Sequence, residues 1–334
     1  MEITVLLSVY NGEKWLKYSI ESILSQTFSN FEFLIINDGS NDSTKKILEK
    51  YSKIDPRIKL IHQSKKGLTA SLNYGVKVAK GKWIARIDCD DIALPERLKR
   101  QYDFATKNNF FLIGCQSKLI SDSGDYIGFK KVPIDEKNLI ENLKSQKIFF
   151  SHSSAFFQKE LVLKIGNYRK VMKKSQDYDL WLRINEVARI NCLDYVGTLI
   201  REHNERISFD DFGIEQRIYA HIAKISHLIR IDNTNMKDPL NSKDLNEVNF
   251  FINFIKKELE NRNFVNFYII LYKYKRHFIK KGYLKSVLKF FTFFKDYKSI
   301  IFLIKWKTNG DFISKSIFKK WKNSFDKINK DYFE

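Results

Sequence analysis

A chain of 334 residues, 43% hydrophobic and 29% charged, has the make-up of an ordinary globular protein and is long enough for one large domain or two smaller ones. Its net charge of +20 is unevenly spread: between Arg262 and Lys330, 18 Lys and Arg face only Asp296, Asp311 and Asp326, a net +15, which leaves +5 on all the other residues. No window approaches ~18 consecutive apolar residues, and the opening MEITVLLSVYNGEKWL lacks a basic start and a long apolar run, so neither a transmembrane helix nor a signal peptide is expected.

The first two hundred residues alternate strand and helix patterns. ITVLLSV (3–9) reads as a buried strand, Asn11-Gly12 turns the chain, and a helix follows with Leu16, Ile20, Ile23 and Leu24 on one face. FEFLIIN (31–37) is a second strand, and DGSNDST (38–44) is a loop ending in helix-capping residues ahead of KKILEKY. RIKLIHQ (57–63) is a third strand, and Gly67 leads into the helix LTASLNYGVKVA. WIARID (83–88) is a fourth strand, Pro95 fits the first turn of the next helix, and FFLIGC (110–115) is a fifth strand. Alternation at this spacing predicts a mostly parallel α/β sheet, in which ligands bind beyond the carboxyl ends of the strands. Asn11, Asp38 and the cluster Asp88, Asp90 and Asp91 all fall there. After about residue 210 the pattern is helical: FGIEQRIYAHIAKISHLIRI, then LNEVNFFINFIKKELENR, then a run dense in Phe, Tyr, Ile and Lys.

Three carboxylates within four positions repel one another unless something is held between them. Hard oxygen donors suit Mg²⁺ or Mn²⁺, which commonly take one or two carboxylates together with substrate phosphates. The plainer reading is that these aspartates turn the chain and cap a helix, although one cap needs only one Asp. Cys89, Cys115 and Cys192 are far apart and lack metal-type spacing, so they read as thiols of a reducing compartment.

SVYNGEKWLKYSIESILSQT, INDGSNDST, GLTASLNYGVKVAKGKWIARIDCDD and LPERLKRQ resemble, in order, the family 2 glycosyltransferases of GT-A fold. The likeness continues more loosely through HSSAFFQKELVLKIGNYR (152–169), SQDYDLWLR (175–183) and LIREHNERIS (199–208). It implies a GT-A catalytic domain over residues 1–208 and a basic, mainly helical region over 209–334. It further implies that Asp38 binds the base of a nucleotide sugar in a pocket lined by the backbone from Ser8 through Tyr10 to Asn11. Asp88 would face the ribose, and Asp90 would bind the cation that bridges the two phosphates. Arg86 and Asp91 share that motif, as supports or as direct contacts, and His203 would complete the metal site. Taken alone, His203 reads as an ordinary core or surface histidine.

In the same family the catalytic base is the second of an acidic pair before an aromatic helix start. Here Gln176 replaces the usual Glu, and Asp177 keeps the base position. An inverting transfer is a single in-line displacement that needs one carboxylate to take the acceptor hydroxyl's proton while a cation neutralises the departing diphosphate. Asp177 also reads as a helix cap, and Asp179 competes for the role.

The expected protein is thus a metal-dependent inverting enzyme that moves a hexose or N-acetylhexosamine, with UDP the expected nucleotide on resemblance alone, to a growing lipid-linked or surface glycan. The basic, aromatic-rich tail suits peripheral attachment to the anionic inner face of the cell membrane, placing the protein in the cytoplasm. It equally suits a small helical domain with solvated lysines. A nucleic-acid-binding protein is the other class that basic, aromatic-rich composition allows, but no such motif is present. A nucleotidyltransferase would need a Gly-rich phosphate loop, and SVYNGEKW holds a single glycine. A silent scaffold would have no need of Asp38, Asp88, Asp90, Asp177 and His203.

Overall fold

The computed structural model describes residues 1–206, 213–232, 236–260 and 313–323. The chain divides into two compact units, one of residues 1–143 with 147–204 and one of residues 144–146 with 205–334.

The first unit is built on a nine-stranded sheet. Strands β1 (Ile3–Val9), β2 (Phe31–Asp38), β3 (Ile58–Gln63) and β4 (Trp83–Arg86) are parallel, in the order β3-β2-β1-β4. Every residue of β1 and β2 is buried, as mostly apolar strands in the middle of a parallel sheet require, and of the polar exceptions Thr4 and Glu32 bond each other (2.6 Å). Helices α1 (Leu16–Leu24), α2 (Thr44–Ile54) and α3 (Leu68–Val78) make the crossovers. Val5, Leu7, Phe33 and Ile35 pack with Leu16, Ile20 and Ile23 of α1 in one core, to which Leu24 contributes only partly. Each side chain buried there contributes about 1.5–3 kcal/mol. On the opposite face α3 comes close at Gly75, where a Cβ would lie 2.4 Å from Leu6 Cδ1.

After β4 come β5 (Ile92–Ala93), α4 (Arg97–Asn108), β6 (Leu112–Ile120), β7 (Tyr126–Lys130) and α5 (Glu136–Lys144). A 3-10 turn at His152–Ser154 leads to β8 (Phe156–Gln158), α6 (Lys159–Lys164), α7 (Gln176–Asn185) and β9 (Ile190–Arg201). β8 inserts antiparallel between β4 and β6, β6 runs parallel to β9, and β5 and β7 complete the edge antiparallel to β9 and β6.

Several local expectations are corrected. The fourth strand ends at Arg86, not residue 88, because Ser153 Oγ takes the Asp88 amide (2.8 Å) and the chain turns at Cys89-Asp90. The fifth strand starts at Leu112 and runs to Ile120. Its polar centre is satisfied from neighbours: the Gln116 amide brackets the backbone of Val132, and Ser117 bonds Thr198. Pro95 lies in the turn before α4, where its carbonyl accepts from the Thr27 amide. At the start of α2 the Ser43 side chain makes no cap bond, and Asp42 Oδ1 accepts the Thr44 amide instead.

In the second unit the described elements are α8 (Ile214–Ile231), a 3-10 turn at Pro239–Asn241, α9 (Leu245–Glu260) and a helical segment at 313–323. Their apolar side chains form a core: Trp321 meets the rings of Phe251 and Phe254, with the exposed Phe250 at its edge, and Tyr219, Ile222, Ile255 and Ile317 are buried. Buried Asp238 accepts from Ser226, Arg230 and the Leu240 amide. The expected boundary at 208/209 and the basic, aromatic run of 262–312 lie outside the described residues. No helix among the described residues is long and apolar enough to cross a membrane.

Candidate active site

The loops that leave β1, β2 and β4 gather at one end of the sheet. Asn11 takes a left-handed backbone (φ 52°). Its amide donates to Ser40 Oγ (3.0 Å), and its side-chain oxygen accepts the Asn41 amide (3.0 Å). The Gly12 amide donates to Thr44 Oγ1 (2.8 Å), so the β1 and β2 loops are laced together. Ser8 is buried, whereas Tyr10 is exposed with the Lys65 ammonium 3.7 Å above its ring.

Asp38 is almost wholly buried, and both of its oxygens serve the next crossover. Oδ1 accepts from Gln63 Nε2 (2.7 Å) and the Lys66 amide (2.9 Å), and Oδ2 accepts from the Gly67 amide (2.8 Å). The carboxylate therefore fixes the segment that enters α3, which no local pattern reveals, because Gln63 and Lys66 look like surface residues in sequence.

Beyond β4, Arg86 is fully buried and forms an ion pair with Asp88 Oδ1. Its Nε and Nη1 have no hydrogen-bond partner among the described residues. Arg97 Nη2 donates to the Arg86 carbonyl (2.7 Å), and burial lowers the Arg97 pKa to about 10. Ser153 Oγ donates to Asp88 Oδ2 (2.8 Å), so Asp88 is held from two sides. Asp91 is buried and accepts the Arg201 amide at Oδ1 (2.9 Å). Burial and the charges of Asp90 and Asp88 push its carboxyl well above the usual range, opposed by Ser153 and the Arg201 amide. Asp91 thus supports the turn from inside.

Asp90 Oδ2 lies 2.8 Å from His203 Nε2, across 113 residues of sequence. The His203 ring is nearly buried, stands 4.0 Å from the Trp15 ring, and has no partner at Nδ1 among the described residues. Arg201 ties the region together, donating to the carbonyls of Asp90, Ser121 and Asp122. No group of three or more His, Cys, Asp or Glu among the described residues is arranged to hold a metal by itself. Asp90 and His203 supply one hard oxygen and one imidazole nitrogen, a mixed donor pair that fits Mn²⁺ better than the strictly oxygen-seeking Mg²⁺, with phosphate oxygens for the remaining ligands.

Asp177 and Asp179 occupy the first turn of α7 and differ sharply. Asp177 is partly exposed, and its Oδ1 accepts the Tyr178 amide (2.8 Å). Asp179 is fully buried between Arg169 Nη1 (3.1 Å) and Arg183 Nη2 (2.8 Å). A carboxylate so enclosed is a structural counter-ion, out of reach of a substrate proton. His152 and Tyr168, bonded to each other at 2.9 Å, both feel the charges of Arg86, Asp88 and Asp177. Neither stood out in sequence. His152 opens the loosely matching stretch HSSAFFQKE, and that position was its sole signal.

Residues 4–166 match the family model described as Glycosyl transferase family 2. Over 190 residues the chain is 38% identical to the O-antigen biosynthesis glycosyltransferase WbnJ of Escherichia coli, covering 56% of this chain and 74% of that one. Among solved structures it is similar to S. aureus TarS 1-349 in complex with UDP, with a TM-score of 0.55 and 18% identity, covering 87% of this chain and 78% of that one. It is also similar to the mannosyltransferase PcManGT of Pyrobaculum calidifontis in complex with GDP-Man and Mn²⁺, with a TM-score of 0.54 and 15% identity, covering 98% and 88% of the two chains. At these identities the solved structures speak for the fold.

Proposed function

This chain belongs to glycosyl transferase family 2 and is a glycosyltransferase, and from that premise we propose that it moves a hexose or N-acetylhexosamine, with inversion, from a nucleotide sugar to a growing surface glycan on a lipid carrier. The observation that carries this reading is the Asp90–His203 pair at 2.8 Å beside the doubly held Asp88, at the carboxyl end of the parallel strands. The nucleic-acid-binding and nucleotidyltransferase alternatives fall with the family assignment. UDP is the preferred nucleotide, supported by the UDP and UDP-GlcNAc complexes of TarS, and a surface glycan as product is supported by the name of WbnJ.

In this reading Ser8, Tyr10 and Asn11 line the base pocket, and Asp38 shapes it through the loop that it holds. Asp88, oriented by Arg86 and Ser153, takes the ribose, while Asp91 and Arg201 keep the turn in place. Asp90 and His203 would hold a divalent cation, a reading that the Mn²⁺ in the PcManGT complex supports. When bound, that cation offsets the charge growing on the departing diphosphate. The acceptor hydroxyl attacks the anomeric carbon and gives its proton to Asp177. The bond from that carbon to the diphosphate oxygen breaks, and the nucleoside diphosphate leaves with the electron pair. The basic stretch 262–330 brings the enzyme to the cytoplasmic face of the membrane, where a lipid-borne acceptor is met.

A donor screen tests this reading: release of nucleoside diphosphate from one sugar nucleotide, dependent on Mn²⁺ or Mg²⁺, is the expected result. Release from none of the UDP, GDP, CDP or dTDP sugars overturns it.

A further inference from the structure

We infer that His152 binds a hydroxyl of the transferred sugar, presenting its Nδ1 hydrogen while Tyr168 fixes the ring from behind; this rests on the reading of the site above. His152 begins the 3-10 turn whose next residue, Ser153, holds Asp88. Its Nε2 is 2.9 Å from the Tyr168 hydroxyl, and its ring meets the edge of buried Trp181 at 5.9 Å. Tyr168 is itself 1% exposed. Its amide donates to Asn73 Oδ1 (2.9 Å), and its carbonyl accepts from Asn73 Nδ2 (2.7 Å).

The proton assignment follows from satisfaction. Among the described residues the Tyr168 hydroxyl has His152 Nε2 as its one partner. A buried hydroxyl left without an acceptor is costly, so its proton goes to Nε2. The imidazole then carries its own hydrogen on Nδ1, for which no described residue provides an acceptor. His152 is intermediate in burial, and its Nδ1 is not among the buried polar atoms left without a partner, so this hydrogen is available to a ligand.

The charged groups that act on His152 are Arg86, Asp177 and Asp88. Burial, then Arg86, lowers its pKa to about 4 against the opposing pull of the two carboxylates. The ring is therefore uncharged at neutral pH and leaves the charge balance to the diphosphate and the cation. A neutral donor matches a sugar hydroxyl. In the order of the reactants, the diphosphate and the transferred sugar stand between the ribose, assigned to Asp88, and the acceptor hydroxyl, assigned to Asp177; of these two, the uncharged sugar is the one an uncharged donor suits.

The test titrates full-length protein with UDP, GDP, CDP and dTDP and with their common sugar conjugates, and follows the pair that wild type binds tightest. His152→Leu is expected to weaken binding of the sugar nucleotide ~10-fold, the scale of one lost hydrogen bond, while the free nucleoside diphosphate binds as in wild type. His152→Asn, whose amide nitrogen stands near the place of Nδ1, should recover most of that loss. Tyr168→Phe, which releases the tautomer, should show part of it. Equal weakening of both ligands in His152→Leu, no weakening of either, or an Asn variant no better than Leu overturns the inference and leaves the family reading standing. Wild type that binds no nucleoside diphosphate overturns both.

Discussion

Asp177 and Asp179 are two positions apart, yet one faces solvent and the other lies between two arginines. Asp177→Asn keeps the shape and removes the carboxylate proposed as the proton acceptor, so turnover should fall at least ~10²-fold while nucleotide affinity holds. Asp179→Asn leaves Arg169 and Arg183 buried without their carboxylate, which costs about 3–5 kcal/mol and should appear first as a lower Tm. A stable, inactive Asp179→Asn beside an active Asp177→Asn would reverse the assignment. At the other end of the site, Asp90→Asn should leave a folded protein with little activity, and EDTA should do the same to wild type. Undiminished turnover in EDTA would mean that the diphosphate's charge is met by the protein alone.

At the scale of elements, the loop between β3 and α3 hangs on one side chain. Asp38 joins the end of β2 to Gln63, Lys66 and Gly67 through three bonds, and Gly67 has a left-handed φ of 90°. Asp38→Ala leaves the Lys66 and Gly67 amides without their acceptor in a loop whose residues are exposed, where water partly replaces it, so the loss should be about 1 kcal/mol. Thermal denaturation should register this as a lower Tm. On the proposed role of that loop in shaping the base pocket, nucleoside diphosphate binding should weaken in the same variant. Normal nucleotide affinity in a destabilised variant would confine Asp38 to structure. The same contacts explain why Asp38 was legible only in part: INDGSNDST marks its position at a strand end, but the donors that claim its oxygens come from another crossover.

For the whole molecule, charge is the distinguishing property, with +15 concentrated between residues 262 and 330. Full-length protein should co-sediment with anionic liposomes at low salt, be partly released at high salt, and bind neutral liposomes weakly. The informative variants replace lysines between 262 and 312 by glutamine. A cut near residue 240 is a poor control, since it removes α9 and the 313–323 segment, whose Phe251, Ile255, Ile317 and Trp321 are core of the second unit. Lysine replacements should lower liposome binding and leave transfer to a soluble acceptor analogue intact. Indifference of the full-length protein to anionic vesicles at low salt would make the tail a solvated helical region.

By itself the sequence determined the elements with strong local signals, and it marked the strand ends where candidate chemistry gathers. The mostly apolar runs at 3–9 and 31–37 read correctly as buried strands because a central parallel strand is covered on both faces, so contiguous residues carry most of the message. The aspartates at 88–91 stood at a strand end for the same local reason. Only the tertiary structure decided what each carboxylate touches. β8 enters between β4 and β6 from far along the chain and brings His152 and Ser153 beside Asp88. β9 brings Arg201 under Asp90 and Asp91, and His203 follows it onto Asp90. The second half of β6 escaped a local reading because Gln116 and Ser117 are polar, and their burial is repaid by partners at 132 and 198. Periodicity resides in neighbouring residues, whereas a hydrogen-bond partner is chosen by which strands lie side by side, and that choice belongs to the folded sheet.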